Sequence, residues 1–403
     1  MNAEPPTLLA PAPAQDASPV SSHKPVAPDT PDWRRWLAWP RWCMGRVWQG
    51  ACLCVLLAVV AAVPVIQLAS LGYLLNSAAR LAQRQPWSKA FPGATVAGRL
   101  GKFACLAAIL WLPVWFITDL SYSAQLLLPN SSTAWNWRLL AGLMMLAWLT
   151  WISWAAIRGG SVRHFLWPAP VLFFRRILLL RTWLQASDAL YELVARLHFL
   201  RLWWLGARAA GGALLWMAIP VSLMIIGQRA DNFPPAVLVG LVGAVSMTVL
   251  MLYLPFLQIQ MAVDNRFRSM FAVNPIRQRF LYAPWAHAGS LLLLCLVSIP
   301  LYLLRIEATP SELVWAPSLV FVLFMLPAKL TLGSAMGYAS GRQACPEVRP
   351  RHWALRWSAR GTALAGVLVY VGALYVAQLV AGQGALVMFF QHALLVPAPL
   401  ISS

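Results

Sequence analysis

Long apolar runs separated by short polar segments extend through most of the chain. Eight runs can be marked, at about 51–75, 103–118, 139–157, 209–228, 235–262, 285–304, 314–338 and 361–381. Several reach or exceed the ~20 residues that an α-helix needs to cross the hydrocarbon core of a bilayer. The pattern predicts an all-α, polytopic transmembrane helical bundle of seven full crossings, preceded by a first segment, 51–75, that either crosses or re-enters the membrane.

The first run lies between two basic segments that compete for the same side of the membrane. Segment 33–49 interleaves tryptophans with four arginines, a pattern typical of a segment lying on the membrane surface. Pro40 is expected to interrupt it. Segment 76–102 carries five more basic residues and no acidic one. Basic segments favour the cytoplasmic side, and a single crossing cannot place both of them there.

Two paths for the first run remain open. In one, the run is a re-entrant or broken hairpin that turns near Pro64, with halves of about 51–63 and 65–75 that are too short to span singly. In the other, the run crosses fully and 33–49 lies outside. We prefer the hairpin, because it leaves both basic segments on the cytoplasmic side.

Basic residues are distributed unevenly among the segments that connect the runs. Segments 76–102, 158–208, 263–284 and 339–360 together contain 22 lysines and arginines, whereas 119–136, 229–234, 305–313 and 382–403 together contain two. The positive-inside rule therefore predicts that the first group is cytoplasmic and that the C-terminus is extracytoplasmic. The net charge of +19 is explained by membrane orientation and anionic lipid headgroups, and we predict no nucleic-acid partner.

Two parts of the chain are expected to lie outside the membrane core. Residues 1–32 are rich in Pro, Ala and Ser, which predicts a disordered tail, and residues 33–403 are expected to form a single transmembrane domain. Within that domain, a polar stripe runs from Arg181 to Arg196, where Glu192 and Arg196 have the spacing of an i,i+4 pair. This stripe predicts an interfacial amphipathic helix in 171–208.

Lys329 lies well inside the 314–338 run, where a charged side chain costs roughly 2.5–3.5 kcal/mol on insertion scales. One interpretation is that Lys329 pairs with an acid inside the bundle, with Asp264 preferred to Asp119. The alternative is that it extends to the cytoplasmic interface. Asp119 itself suits the outer interface, and the glutamines are expected to join helices through hydrogen bonds. The candidate intramembrane polar site comprises Lys329, Asp264, Asp119, Gln67, Gln258 and Gln260.

Two Arg-His pairs, Arg163-His164 and Arg351-His352, lie in basic segments and are candidate contacts to lipid phosphate. A solvated position at the interface is the alternative. We recognise no catalytic, cofactor-binding or metal-ligating motif in the sequence, so no such residue and no cofactor is predicted.

One short pattern occurs twice. In each copy, a proline inside an apolar run is followed by a Gly-Tyr pair and then by an arginine at the cytoplasmic end. The copies are Pro64…Gly72-Tyr73…Arg80 and Pro327…Gly337-Tyr338…Arg342. Their spacings differ, so we infer no duplication. Both copies are expected to form a helix that is kinked at the proline and anchored at the membrane interface by the arginine.

The stretch PVIQLASLGYLLNSAARLA, with basic residues on both sides, resembles the opening of a family of uncharacterised bacterial multi-pass membrane proteins defined as a domain of unknown function. That family has a proline, a Gly-Tyr pair and then arginines in its first hydrophobic segment. The later stretches RGGSVRHFLWPAP, LYLPFLQIQMAVDNRFR and PSLVFVLFMLPAKL also resemble proteins of this kind, so the likeness covers about 40–400. It implies a bacterial inner membrane, but no activity, ligand or catalytic residue.

Two classes of function follow. The first is an integral inner-membrane protein without enzymatic activity, acting as a scaffold, a permease or a lipid-handling module. The second is a membrane enzyme acting on lipid headgroups at the cytoplasmic leaflet. The lack of recognised catalytic motifs favours the first class. Expected partners are membrane lipids with anionic headgroups, with a membrane-protein partner left open. A polar cavity converging on Lys329 would favour transport or catalysis, whereas a packed core would favour scaffolding.

Overall fold

The computed structural model describes residues 32–129, 131–167, 169–177, 179–228, 234–306 and 315–381, and every regular element formed by these residues is helical. The α-helices are α1 Asp32–Ala62, α2 Gln67–Ala82, α3 Trp87–Ala90, α4 Ala94–Leu127, α5 Ser132–Ile157, α6 Val162–Leu166, α7 Pro170–Ile177, α8 Leu180–Leu197, α9 Phe199–Gln228, α10 Pro234–Met251, α11 Leu254–Asp264, α12 Val273–Tyr282, α13 Pro284–Ile306, α14 Trp315–Ala344 and α15 Trp353–Ala381. A short 3₁₀ helix, Phe267–Phe271, lies between α11 and α12.

Seven helical segments within the described part of the chain are long and apolar enough to cross a membrane. They are Trp42–Ala62, Ala94–Leu127, Ser132–Ile157, Ala195–Gly227, Pro284–Leu301, Pro317–Ala344 and Trp353–Val376. Helices α10 and α11 form an eighth span if they count as one, bent by 41° at Leu252 and Tyr253. The predicted all-α polytopic bundle is therefore confirmed.

The chain divides into two compact units, residues 1–46 and residues 47–403. The described residues of the first unit form the beginning of α1, where the Arg46 guanidinium lies 5.3 Å from the centre of the Trp42 ring. Pro40 lies inside α1, so the interruption that we expected there is wrong. The predicted disordered tail, 1–32, lies outside the described residues except for Asp32, where α1 begins.

The first apolar run forms two helices and not one. Helix α1 ends at Ala62, the chain turns over Val63–Ile66 with Val65 at φ 68°, and α2 begins at Gln67. Both helices return to the same place, because Trp48 Nε1 donates to the Gly98 carbonyl at 3.1 Å and Arg80 Nη1 donates to the Lys89 carbonyl at 3.1 Å.

The contacts of α1 and α2 with residues 89–98 agree with one of the two paths for the first run. They match the broken hairpin that turns near Pro64, since residues 51–75 do not form one continuous helix. The side of the membrane on which each end lies stays a prediction. The expected shortness of the first half is also wrong. Because α1 begins well before residue 51, its segment Trp42–Ala62 is long enough to span by itself.

Helix α2 lies at the centre of the second unit, and thirteen of its sixteen residues are buried. Glycines allow two neighbours to approach its backbone. A Cβ on Gly72 would lie 2.9 Å from the backbone nitrogen of Gly206 in α9, and a Cβ on Gly333 in α14 would lie 2.8 Å from the carbonyl carbon of Ala78. Close helix contacts at small residues are typical of membrane proteins, so α9 and α14 hold α2 from two sides.

Helices α4 and α5 form a peripheral hairpin. The connection is short, and Ser131 caps α5 by accepting a hydrogen bond from the Ala134 backbone N–H at 3.1 Å. The two helices pack mainly on each other, with Trp111 and Trp148 in edge-to-face contact at 4.7 Å. Only 6% of the most apolar part of α4 and 11% of that of α5 is buried. Most of their surface is therefore left for lipid.

The predicted interfacial helix is divided in the structure. Residues 171–208 contribute to α7, to α8 and to the beginning of α9, and the part after Phe199 belongs to a helix that is long and apolar enough to cross a membrane. Helix α8 carries the expected i,i+4 pair, since Arg196 Nη2 lies 2.8 Å from Glu192 Oε2.

Candidate functional site

Lys329 is buried in the packed interior, with 1% of its surface exposed. Its Nζ donates to the side-chain oxygen of Gln258 in α11 at 2.8 Å. The fully buried neighbours in α14 are apolar, including Ala328 and Leu332. The contact joins α11 to α14 in the core, so Lys329 does not extend to the interface.

Asp264 is not the partner of Lys329, and the preferred pairing is wrong. The Asp264 carboxylate accepts a hydrogen bond from Gln260 Nε2 at 2.7 Å, and Gln260 Oε1 accepts one from Arg279 of α12. Burial lowers the pKa of the Arg279 guanidinium, and the Asp264 carboxylate offsets part of that shift. Asp264 lies exposed at the end of α11. The hydrogen-bond acceptor for the Lys329 amine is therefore the neutral side-chain amide of Gln258 and not this carboxylate.

The remaining candidates of the intramembrane polar site are separated from Lys329. Asp119 is exposed on α4, in the peripheral hairpin. Gln67 is buried at the first position of α2, 3% exposed, and its backbone carbonyl accepts from Ser70 Oγ at 2.7 Å. Helix–helix hydrogen bonds through glutamine are present at Gln258 and Gln260, as the sequence predicts.

The two Arg-His pairs lie in different parts of the second unit. Arg163 is exposed and His164 is half-buried on α6, which packs against α4 and α5. Arg351 and His352 are exposed before α15, and the Arg351 backbone N–H donates to the Leu281 carbonyl at 2.9 Å. No contact between the two pairs is found among the described residues, so they do not form a joint site.

A pocket of about 160 Å³, which we call the α1–α2 pocket, lies between the hairpin and the beginning of α9. Its apolar wall is formed by side chains from three helices. They are Leu53, Leu56, Leu57 and Val60 of α1, Ala69 of α2, and Leu202 and Leu205 of α9. Tyr73 of α2 also lines the pocket, and its hydroxyl donates to the Pro92 carbonyl at 2.9 Å.

The polar part of the α1–α2 pocket is basic. Its side chains come from the second half of α2, the junction of α8 and α9, and the residue that follows α11. They are Asn76, Arg80, Arg196, His198, Arg201 and Asn265. Asn265 ends α11 at φ 52° and is held by Arg208, whose Nη2 donates to its side-chain oxygen at 2.5 Å. None of the described lining residues is acidic, but Arg196 is paired with Glu192 of α8, so the lining arginines without an ion pair are Arg80 and Arg201. The pocket therefore offers an apolar wall beside positive charge.

No group of three or more His, Cys, Asp and Glu side chains that could hold a metal ion occurs in the described ranges. The α1–α2 pocket was not anticipated from the sequence, because its lining depends on contacts between distant helices. The repeated Gly-Tyr…Arg pattern was the available signal. Tyr73 and Arg80 of its first copy line this pocket.

Comparisons of the chain with models of known protein families, with curated proteins and with solved structures find no match. The resemblance of the opening stretch to an uncharacterised bacterial membrane family therefore stays a prediction. The apolar helices support a coarser statement: this is a multi-pass helical membrane protein.

Proposed function

We propose that this protein is a non-enzymatic, lipid-handling membrane protein that binds an anionic phospholipid by its headgroup in the α1–α2 pocket. The observation that carries the proposal is the pairing of an apolar wall with arginines and no acidic lining residue. Arginine binds phosphate through two parallel hydrogen bonds, and leucine side chains suit the first methylenes of an acyl chain.

The size of the pocket supports binding of one part of a lipid. Pockets for whole small molecules usually measure about 300–1,000 Å³, and this one measures about 160 Å³. The acyl chains would therefore lie outside, along the face of α1 that carries Val55 and Val59, which are 53% and 56% exposed.

Lys329 supports a function without transport through the centre of the bundle. It lies in a packed core, does not line the α1–α2 pocket, and donates a hydrogen bond to a neutral amide. A polar cavity converging on this lysine would have favoured transport or catalysis.

The lipid would come from the cytoplasmic leaflet of a bacterial inner membrane. The arginines of the pocket belong to segments 76–102 and 158–208, which the positive-inside rule assigns to the cytoplasm, and the C-terminus would then be extracytoplasmic. Topology reporters fused before Trp33 and inserted after Gln85 should both report the cytoplasm, because α1 and α2 form a hairpin. Reporters on opposite sides would contradict this orientation.

Binding can be measured as lipid-dependent thermal stabilisation of the full chain in detergent micelles. Phosphatidylglycerol should raise the unfolding temperature more than phosphatidylcholine does. The substitution Arg201→Gln, at an exposed position of the pocket, should remove most of that difference. Arg268→Gln is the matched control, because it removes the same charge at an exposed position on the 3₁₀ helix and should keep the difference.

Three results would contradict the proposal. The two lipids could stabilise the protein equally, or both variants could lose the effect equally, which would indicate surface charge without a pocket. Release of a headgroup or acyl chain during the incubation, detected by mass spectrometry, would instead favour the membrane enzyme.

A further inference from the structure

A second, separate cleft lies beside the C-terminal ends of α2 and α14. It measures about 440 Å³ and is formed where α2 and α14 end, together with the segments that follow them. The side chains that define it are Arg84, Trp87, Tyr338 and Arg342. We call it the arginine cleft. It contains the second copy of the Gly-Tyr…Arg pattern, Gly337-Tyr338…Arg342.

Close helix packing places the arginines together. Arg84 follows α2 at φ 63°, and its Cζ lies 3.2 Å from where a Cβ on Gly341 would be, so a glycine in α14 leaves room for this guanidinium. Arg342 is the next residue of α14. Its Cζ lies 5.8 Å from the centre of the Tyr338 ring, and Nη1 is 3.4 Å from the Tyr338 hydroxyl. The Arg351 side chain also lies near this hydroxyl.

These guanidinium groups retain free hydrogen-bonding capacity. The bond from Arg342 to Tyr338 is long, and Nε of Arg342 is buried without a partner among the described residues. No carboxylate within the described ranges forms an ion pair with Arg84, Arg342 or Arg351. The ion pair found in those ranges, between Glu192 and Arg196, lies on α8 and not in the cleft. Like charges gathered without a counter-charge repel one another, and a bound anion would relieve that repulsion.

The composition of the cleft selects the chemistry of the anion. Guanidinium forks match the oxygens of phosphate, and a terminal phosphate carries about −1.5 to −2 charge near pH 7, more than a phosphodiester. Trp87 and Tyr338, which are 57% and 55% exposed, supply aromatic surface at the rim. The volume of about 440 Å³ lies in the usual range for small ligands.

We propose that the arginine cleft binds a terminal phosphate group, a phosphomonoester, between Arg84 and Arg342. The same group occurs on soluble metabolites and on lipid headgroups. Glycerol 3-phosphate and phosphatidic acid provide it in these two forms, and phosphatidylglycerol provides a phosphodiester for comparison. This site does not depend on the α1–α2 pocket, since the two share no lining residue.

The test is calorimetric titration of the full chain in phosphatidylcholine nanodiscs. Glycerol 3-phosphate is added from solution, and phosphatidic acid or phosphatidylglycerol is added in micelles. At least one phosphomonoester should bind saturably and more tightly than phosphatidylglycerol. Arg342→Gln should weaken that binding about tenfold or more, because it removes a charge-assisted hydrogen bond. Arg277→Gln, an exposed charge on α12, should leave it unchanged.

Each outcome decides one question. Binding of glycerol 3-phosphate identifies a soluble source, and binding of phosphatidic acid alone identifies a lipid. If Arg342→Gln does not fold, Arg342→Lys replaces it, and the loss should persist because lysine cannot form the two parallel bonds. Absence of binding, equal binding of phosphatidylglycerol, or equal losses in Arg342→Gln and Arg277→Gln would overturn the proposal.

Discussion

Helix α2 and the α4–α5 hairpin lie at opposite ends of the range of burial in this protein. Helix α2 carries Gln67, Ser70, Asn76 and Ser77 among small residues, and thirteen of its sixteen residues are buried. Helices α4 and α5 are strongly apolar and mostly exposed. In a membrane, apolar surface gains nothing from leaving lipid for protein, so small and polar residues mark the interior better than hydrophobic ones.

The first test of this contrast replaces one glycine by alanine in each region, which adds a single methyl group. We expect Gly72→Ala to destabilise the protein by at least the ~1–3 kcal/mol typical of overpacking, because the new Cβ would overlap the Leu202 carbonyl of α9. Gly142→Ala in α5 is the control. No atom lies within 4 Å of its added Cβ, so its stability should change little or rise.

Thermal unfolding in detergent would measure both glycine variants. Equal effects would show that the approach of α2 to α9 does not hold the core together.

The second test concerns the buried polar contact. Gln258→Leu leaves the buried Lys329 amine without its hydrogen-bond acceptor and should cost roughly 1–3 kcal/mol, the range for a buried polar group that loses its hydrogen-bond partner. Replacing both residues, with Lys329→Met and Gln258→Leu, should restore stability, since replacing both partners by apolar side chains of similar shape is often neutral or stabilising. The double-mutant cycle measures the coupling, and additive losses would mean that the two side chains act independently.

The third test compares two leucines of equal chemistry. Leu74 of α2 has no exposed surface, whereas Leu143 of α5 is 56% exposed. Leu74→Ala should cost about 2–5 kcal/mol because the cavity stays empty. Leu143→Ala should change stability by about 0.5 kcal/mol or less, since lipid fills the space. A comparable loss at Leu143 would place this face of α5 against another protein surface instead of lipid.

The positions of the crossing helices followed from hydrophobicity alone, because every membrane span must be apolar over its length. The break at Pro64 was also predictable, since proline lacks a backbone donor and two basic flanks required a turn. The continuation of α1 through Pro40 was not predictable, because a proline in a sequence usually indicates that a helix is interrupted. Local pattern also could not show that α1 begins before residue 51.

The partner of Lys329 shows why site prediction failed where fold prediction succeeded. Charge complementarity pointed to Asp264, but only geometry shows that Gln258 faces α14 and that Asp264 lies exposed at the end of α11. The α1–α2 pocket and the arginine cleft have the same origin. Each brings together residues from distant parts of the chain, and only the repeated Gly-Tyr…Arg pattern indicated them in advance.

The packing of α2 also has a consequence for biosynthesis. This helix leaves the ribosome early, but Gly333 of α14, one of its two close contacts, is made about 260 residues later. At translation rates of about 5–20 residues per second, that delay lasts tens of seconds. Throughout this interval the side of α2 that packs on α14 has no final partner in the bilayer, whereas the side that packs on α9 gains its partner earlier. We therefore expect this side of α2 to reach its final packing only after α14 has been inserted.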